Sequence, residues 1–91
     1  MQITKSIEGT DMKLVIFSTI NDRLLTFNFG GKSIGARKEF KPGTYSTSTP
    51  ADHRHMHENA HEAALYISNF FNLGNEVTVC AERVIKDTLL Y

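Results

Sequence analysis

Residues 49–74 read TPADHRHMHENAHEAALYISNFFNLG, and the structure assigned to this stretch decides what the rest of the chain can build. Thr49 can cap free backbone amides, Pro50 suits a first helical position because its missing N–H is not needed there, and Asp52 favours the positive end of a helix dipole. Met56, Ala60, Ala63, Ala64, Ile67 and Phe71 then fall on one stripe at three- and four-residue spacings. Gly74 supplies a left-handed stop. The spacing predicts one amphipathic helix between Thr49 and Gly74, roughly 35 Å long at 1.5 Å per residue, whose alanine-rich side covers a sheet.

Upstream, Met12 to Ile20 is rich in β-branched and aromatic residues, with Leu14, Ile16 and Ile20 on one side and Val15 and Phe17 on the other. This predicts a central strand covered on both faces. Asn21-Asp22 marks a turn, after which Leu25, Phe27 and Phe29 alternate with Thr26 and Asn28. Gly30-Gly31 makes a second tight turn, and Ile34, Ala36 and Phe40 continue the period of two. Gln2 to Ile7 adds a short edge strand before a break at Glu8-Gly9. Downstream, Val77, Val79 and Ala81 alternate with Thr78, Cys80 and Glu82, which predicts a last strand before the tail Leu89-Leu90-Tyr91. The expected fold is α+β: an antiparallel β-meander of four to five strands, in the order β-β-β-α-β, with one long amphipathic helix packed on one face and residues 1–91 forming a single domain.

Ten acidic and ten basic side chains in 91 residues argue against both a general polyanion binder and an acidic decoy of nucleic acid, so any charged recognition surface is local. The one cysteine, Cys80, has no partner for an internal disulfide, and its alternating surroundings predict a buried thiol in a reducing compartment. The N-terminus has no apolar signal core and the run Leu14 to Phe17 is too short for a bilayer, so the expectation is a soluble cytoplasmic protein with no membrane span.

All four histidines lie between positions 53 and 61, and His57-Glu58-Asn59-Ala60-His61 spells the zinc-protease signature His-Glu-x-x-His. On a helix, His57 and His61 sit one turn apart and can grip one zinc while Glu58 polarises a bound water. A third ligand is then required. Glu76, Glu82 and Asp87 are the downstream candidates, none on a predicted second helix, and His53 is two turns from His61, too far to converge with it. The helical wheel places His57 and His61 at the border of the buried stripe and Glu58 on its wet side. The signature is therefore read as a chance match in a histidine-rich stretch, and no catalytic residue, metal or cofactor is expected. A zinc-dependent hydrolase using His57, Glu58 and His61 is the alternative. The imidazoles at 53, 57 and 61 would gain charge together below neutrality, which adds a pH response to the expectations. Cys80 lacks the surroundings of a nucleophile, and no phosphate loop is present.

Lys32, Arg37, Lys38 and Lys41 set four positive charges against Glu39 within ten residues. Such a strand is either a solvated edge or a docking patch. Arg37 on a rigid strand is preorganised for a carboxylate or phosphate, whereas lysines without stacked aromatics suit nucleic acid poorly, and Tyr45 is the one exposed aromatic expected nearby. The expected partner is a protein, with no direct sequence-specific contact to nucleic acid. Leu65 and the C-terminal tail are spare apolar surface, which makes a homodimeric structural module a further alternative.

Gly31-Lys32-Ser33-Ile34-Gly35-Ala36-Arg37, followed by an acidic residue and Phe40, resembles a hairpin strand of small phage anti-CRISPR proteins of the type I-F inhibitor class. The resemblance implies a short meander leading into a helix. It also implies a non-catalytic inhibitor that binds backbone subunits of a CRISPR surveillance complex, so that target DNA cannot pair with the guide. By that resemblance Lys32 and Arg37 are contact candidates; Lys38 joins them on local charge alone.

Overall fold

A computed structural model of the chain describes residues 2–7, 9, 11–18 and 23–89. Six strands, β1 (Gln2–Ser6), β2 (Lys13–Ser18), β3 (Leu24–Phe29), β4 (Lys32–Lys38), β5 (Tyr45–Ser48) and β6 (His55–His57), precede two helices, α1 (Ala60–Phe70) and α2 (Asn75–Thr88). Each strand pairs antiparallel with its sequence neighbours, giving one meander sheet in the order β1 to β6. The α+β meander of the sequence analysis is the observed class, with more strands and one more helix than expected.

The period of two sorts the side chains cleanly. Leu14, Ile16, Leu25, Phe27, Ile34 and Ala36 are fully buried and share a core with Ala60, Ala63, Ala64 and Ile67 of α1 and Val77, Ala81, Val84 and Ile85 of α2. Helix α1 approaches the sheet most closely at β5 and β6, and α2 packs chiefly against α1 while sharing the same core. Among the described residues the other face carries no second layer: Phe17 is 42 % exposed and Met56 58 %. The expectation that β2 is covered on both sides is thus corrected. Gly30 and Gly31 join β3 to β4 with φ of 58° and 80°, the paired left-handed geometry of a two-residue hairpin turn, and Phe29 pairs with Lys32 across it.

The single long helix is replaced by three elements. Thr49 and Asp52 close a turn on each other: the Thr49 N–H donates to the Asp52 carbonyl (2.9 Å), and the Asp52 N–H donates to the Thr49 carbonyl (3.2 Å) and Oγ1 (3.0 Å). His55-Met56-His57 then pairs with β5 as the sixth strand. The helix begins only after Asn59, whose side chain accepts the Glu62 N–H (2.9 Å), while the Glu62 carboxylate reaches back to the Glu58 N–H (3.1 Å). This reciprocal arrangement satisfies amides that a helix start leaves free. Asn59→Ala is expected to cost about 1 kcal/mol. An unchanged denaturant midpoint for that variant would contradict this helix start.

Gly74 does not stop α1. Asn72 takes the left-handed position at φ 57°, its N–H donates to the Asn69 carbonyl (3.0 Å), and the Leu73 N–H donates to the Ser68 carbonyl (2.8 Å), closing a Schellman cap. Gly74, at φ −85°, is instead the N-cap of α2. The expected last strand is this helix, because Val77, Ala81, Val84 and Ile85 carry a helical stripe that outweighs the local alternation. Cys80 is accordingly half-buried on a helix rather than a core thiol in a strand. Ile20, the Asn21-Asp22 turn, Glu8 and the tail residues Leu90 and Tyr91 lie outside the described residues. Among those described, no helix is long and apolar enough to cross a membrane.

Candidate binding surface

Strand β4 distributes the three predicted contact residues rather than gathering them. Ile34 and Ala36 point into the core, so Lys32 and Lys38 share their side of the sheet and Arg37 lies on the uncovered side. Six residues separate Lys32 from Lys38, roughly 20 Å along the strand. The Lys32 ammonium sits 5.9 Å from the ring centroid of Phe70 on α1, a cation–π contact that ties it to the helical layer. Arg37 and Lys38 both lie at the far end of β4, on opposite faces, where the chain turns towards β5.

That turn holds what the sequence reading missed. Strand β4 ends at Lys38, so Phe40 never enters the sheet; it is 100 % exposed. The turn is nonetheless ordered by bonds on both sides of it. The Glu39 N–H donates to the Thr44 carbonyl (3.0 Å), the Thr44 N–H and hydroxyl both donate to the Lys41 carbonyl (3.1 and 2.6 Å), and Gly43 takes φ 81°. Beneath it the Glu39 carboxylate is 8 % exposed, ion-paired to Arg54 and accepting from the Ser46 hydroxyl (2.6 Å). Glu39 is therefore neutralised by Arg54, leaving Arg37, Lys38 and Lys41 as the charged residues that flank Phe40 along the chain. Tyr45, the aromatic expected to be exposed here, is buried. The signal for Phe40 was present in the run Lys38-Glu39-Phe40-Lys41-Pro42-Gly43, where one aromatic stands among charges and turn formers.

The histidines are spread over two elements and a loop. His57 is buried in β6 and shares a 2.8 Å hydrogen bond with the Thr47 hydroxyl; its ring and that of His55 lie 5.2 and 4.8 Å from the Tyr66 ring of α1. Asp52, expected at a helix start, instead pairs with His55 and accepts from the Tyr66 hydroxyl (3.1 Å). Burial and the neighbouring Asp52 carboxylate raise the pKa of that hydroxyl. His61 lies on α1 and pairs with Glu82 of α2, which is also bonded to Lys86 (3.0 Å). These contacts with Lys86 and His61 hold the Glu82 carboxyl below its ordinary value. The His-Glu-x-x-His run thus straddles a strand end and a helix cap. Its two imidazoles are not one helical turn apart, and each has a separate partner. No group of three or more His, Cys, Asp or Glu placed to hold a metal ion occurs among the described residues.

Burial holds the His57 pKa below its ordinary 6.5, nearby His55 lowers it further, and Glu62 opposes both. The unfolded chain therefore takes up this proton first. The stability contributed by neutral His57 is complete above about 6.5 and is lost as pH falls from there to the lowered folded value. In denaturant titrations from neutral to mildly acidic pH, His57→Gln is expected to flatten that slope. A slope equal to wild type would assign it to other groups.

No protein-family model, curated protein or solved structure matches the chain.

Proposed function

We propose that this chain is a small non-catalytic binding protein that docks on a larger protein assembly through the turn between β4 and β5 and the adjoining end of β4. The observation that carries this reading is Phe40, a fully solvated aromatic on a hydrogen-bonded turn between cations. An exposed phenylalanine gains nothing for the free fold, whereas aromatic anchors dominate protein interfaces. Its surroundings, Arg37, Lys38 and Lys41, fit an apolar pocket rimmed by carboxylates.

The likeness of residues 31–37 to the type I-F anti-CRISPR hairpin gives the partner class: backbone subunits of a surveillance complex, met in the cytosol of a host cell. The mechanism is steric and electrostatic occlusion of the DNA-pairing path, with no bond made or broken. The test uses purified type I-F surveillance complex with its guide and a labelled target duplex. Prior addition of this protein is expected to bring it into the complex on a sizing column and to abolish the DNA shift. Separate elution with undiminished DNA binding would overturn the anti-CRISPR reading.

A further inference from the structure

Helix α2 buries Val77, Ala81, Val84 and Ile85 and turns a second stripe outward, on which Glu76, Val79 and Arg83 recur at three- and four-residue spacing with the half-buried Cys80 at its border. Val79 is 54 % exposed, the most exposed of the helical large hydrophobics. Leu65, 39 % exposed, lies on α1 between His61, which reaches Glu82, and Ser68, whose hydroxyl lies 2.6 Å from that of Thr78. Leu65 therefore lies on the side of α1 that faces α2, and it and Val79 are the exposed large hydrophobic residues of the two helices among the described residues, forming the apolar strip of this face.

The charges on either side of that strip have no ion-pair partner among the described residues. Glu76 and Arg83 are seven residues apart, about 10 Å along the axis, beyond reach of each other. Neither takes part in an ion pair among the described residues. One carboxylate and one guanidinium lie at nearly equal distances on opposite sides of a point between Val79 and Cys80. A partner of single charge would be attracted by one and repelled by the other. A second copy of this helix, run antiparallel, satisfies both.

We propose that α2 is a self-association face, on which two copies pack antiparallel about a two-fold axis passing between Val79 and Cys80. Glu76 of each copy then meets Arg83 of the other, Val79 meets Cys80 across the axis, and Leu65 widens the apolar centre. The antiparallel arrangement also sets the helix dipoles against each other favourably. An isologous contact of this kind closes on itself and stops at a dimer. It lies on the helical layer, whereas Phe40 projects from a turn of the sheet, so the two surfaces are separate.

Charge reversal tests the register directly. Sedimentation velocity is expected to show a reversible monomer–dimer equilibrium for the wild type, with the dissociation constant raised at least tenfold in Glu76→Arg and in Arg83→Glu. An equimolar mixture of those two variants is expected to regain a dimer, because each copy then offers the sign the other lacks. A short bismaleimide should cross-link the wild type through Cys80, should not cross-link either variant alone, and should cross-link the mixture. Glu76 and Arg83 are both exposed, so circular dichroism is expected to show the two variants folded. A wild type that stays monomeric at every concentration, a dimer indifferent to both reversals, or a mixture that stays monomeric would each overturn the proposal.

Discussion

Phe27→Ala is expected to be the most damaging single truncation in the chain, lowering stability by about 3–5 kcal/mol. Phe27 has no exposed surface; it lies on β3 between Ile16 of β2 and Ile34 of β4, both equally enclosed, with the helices above them. Its removal leaves a cavity that neither a meander held by neighbouring strands nor alanine-surfaced helices can collapse to fill. A domain of this size has about 5–14 kcal/mol in total, so the variant is expected to melt at least 12 °C lower at about 4–8 °C per kcal/mol, or not to fold. Phe17 provides the control. It lies on the adjacent strand but on the uncovered face, and Phe17→Ala is expected to cost under about 1 kcal/mol. Equal losses in the two variants would mean that the sheet is covered on both sides.

This contrast marks what the sequence could and could not reveal. Strand positions were legible from Leu14 to Ala36 because alternation with glycine turns is a local signal, and one buried face fixes register strongly. Residues 50–58 carry an ambiguous signal because Thr-Pro-x-Asp is an equally good signature for a turn, and Thr49 and Asp52 use it that way. The decisive competitor was Asn59 with Glu62 three residues on, a stronger start signal placed where apolar residues first recur densely. At the other end, three alternating residues from Val77 carry a local strand signal, but the stripe that extends to Ile85 has the period of a helix. The arithmetic of pairing also hides the candidate binding surface. Lys32 and Lys38 look adjacent to Arg37 in a list of charges, but pleating separates them by face, and only the end of β4 fixes where the sheet releases the chain. The resulting exposure of Phe40 depends on Glu39 being drawn down by Arg54 and Ser46, contacts 15 and 7 residues distant that no local pattern encodes.

Phe40→Ala is expected to separate binding from folding more sharply than any other variant. The side chain touches nothing in the free protein, so its loss removes no native contact, and the melting temperature is expected to stay within about 0.5 kcal/mol of wild type in equivalent stability. On the proposed docking to the surveillance complex, loss of the aromatic anchor is expected to weaken binding by about 2 kcal/mol or more, close to thirtyfold. The turn is already ordered by its own hydrogen bonds, so little is lost in immobilising it, and that preorganisation makes the anchor worth so much. Lys41→Ala, at the rim, is expected to act mainly on the association rate and to lose its effect as salt rises, because an exposed charge steers more than it holds. If the surveillance complex takes up Phe40→Ala as tightly as the wild type, the anchor is misassigned even though the inhibitor reading stands. A melting temperature that falls with the substitution would mean that the ring packs against the protein after all.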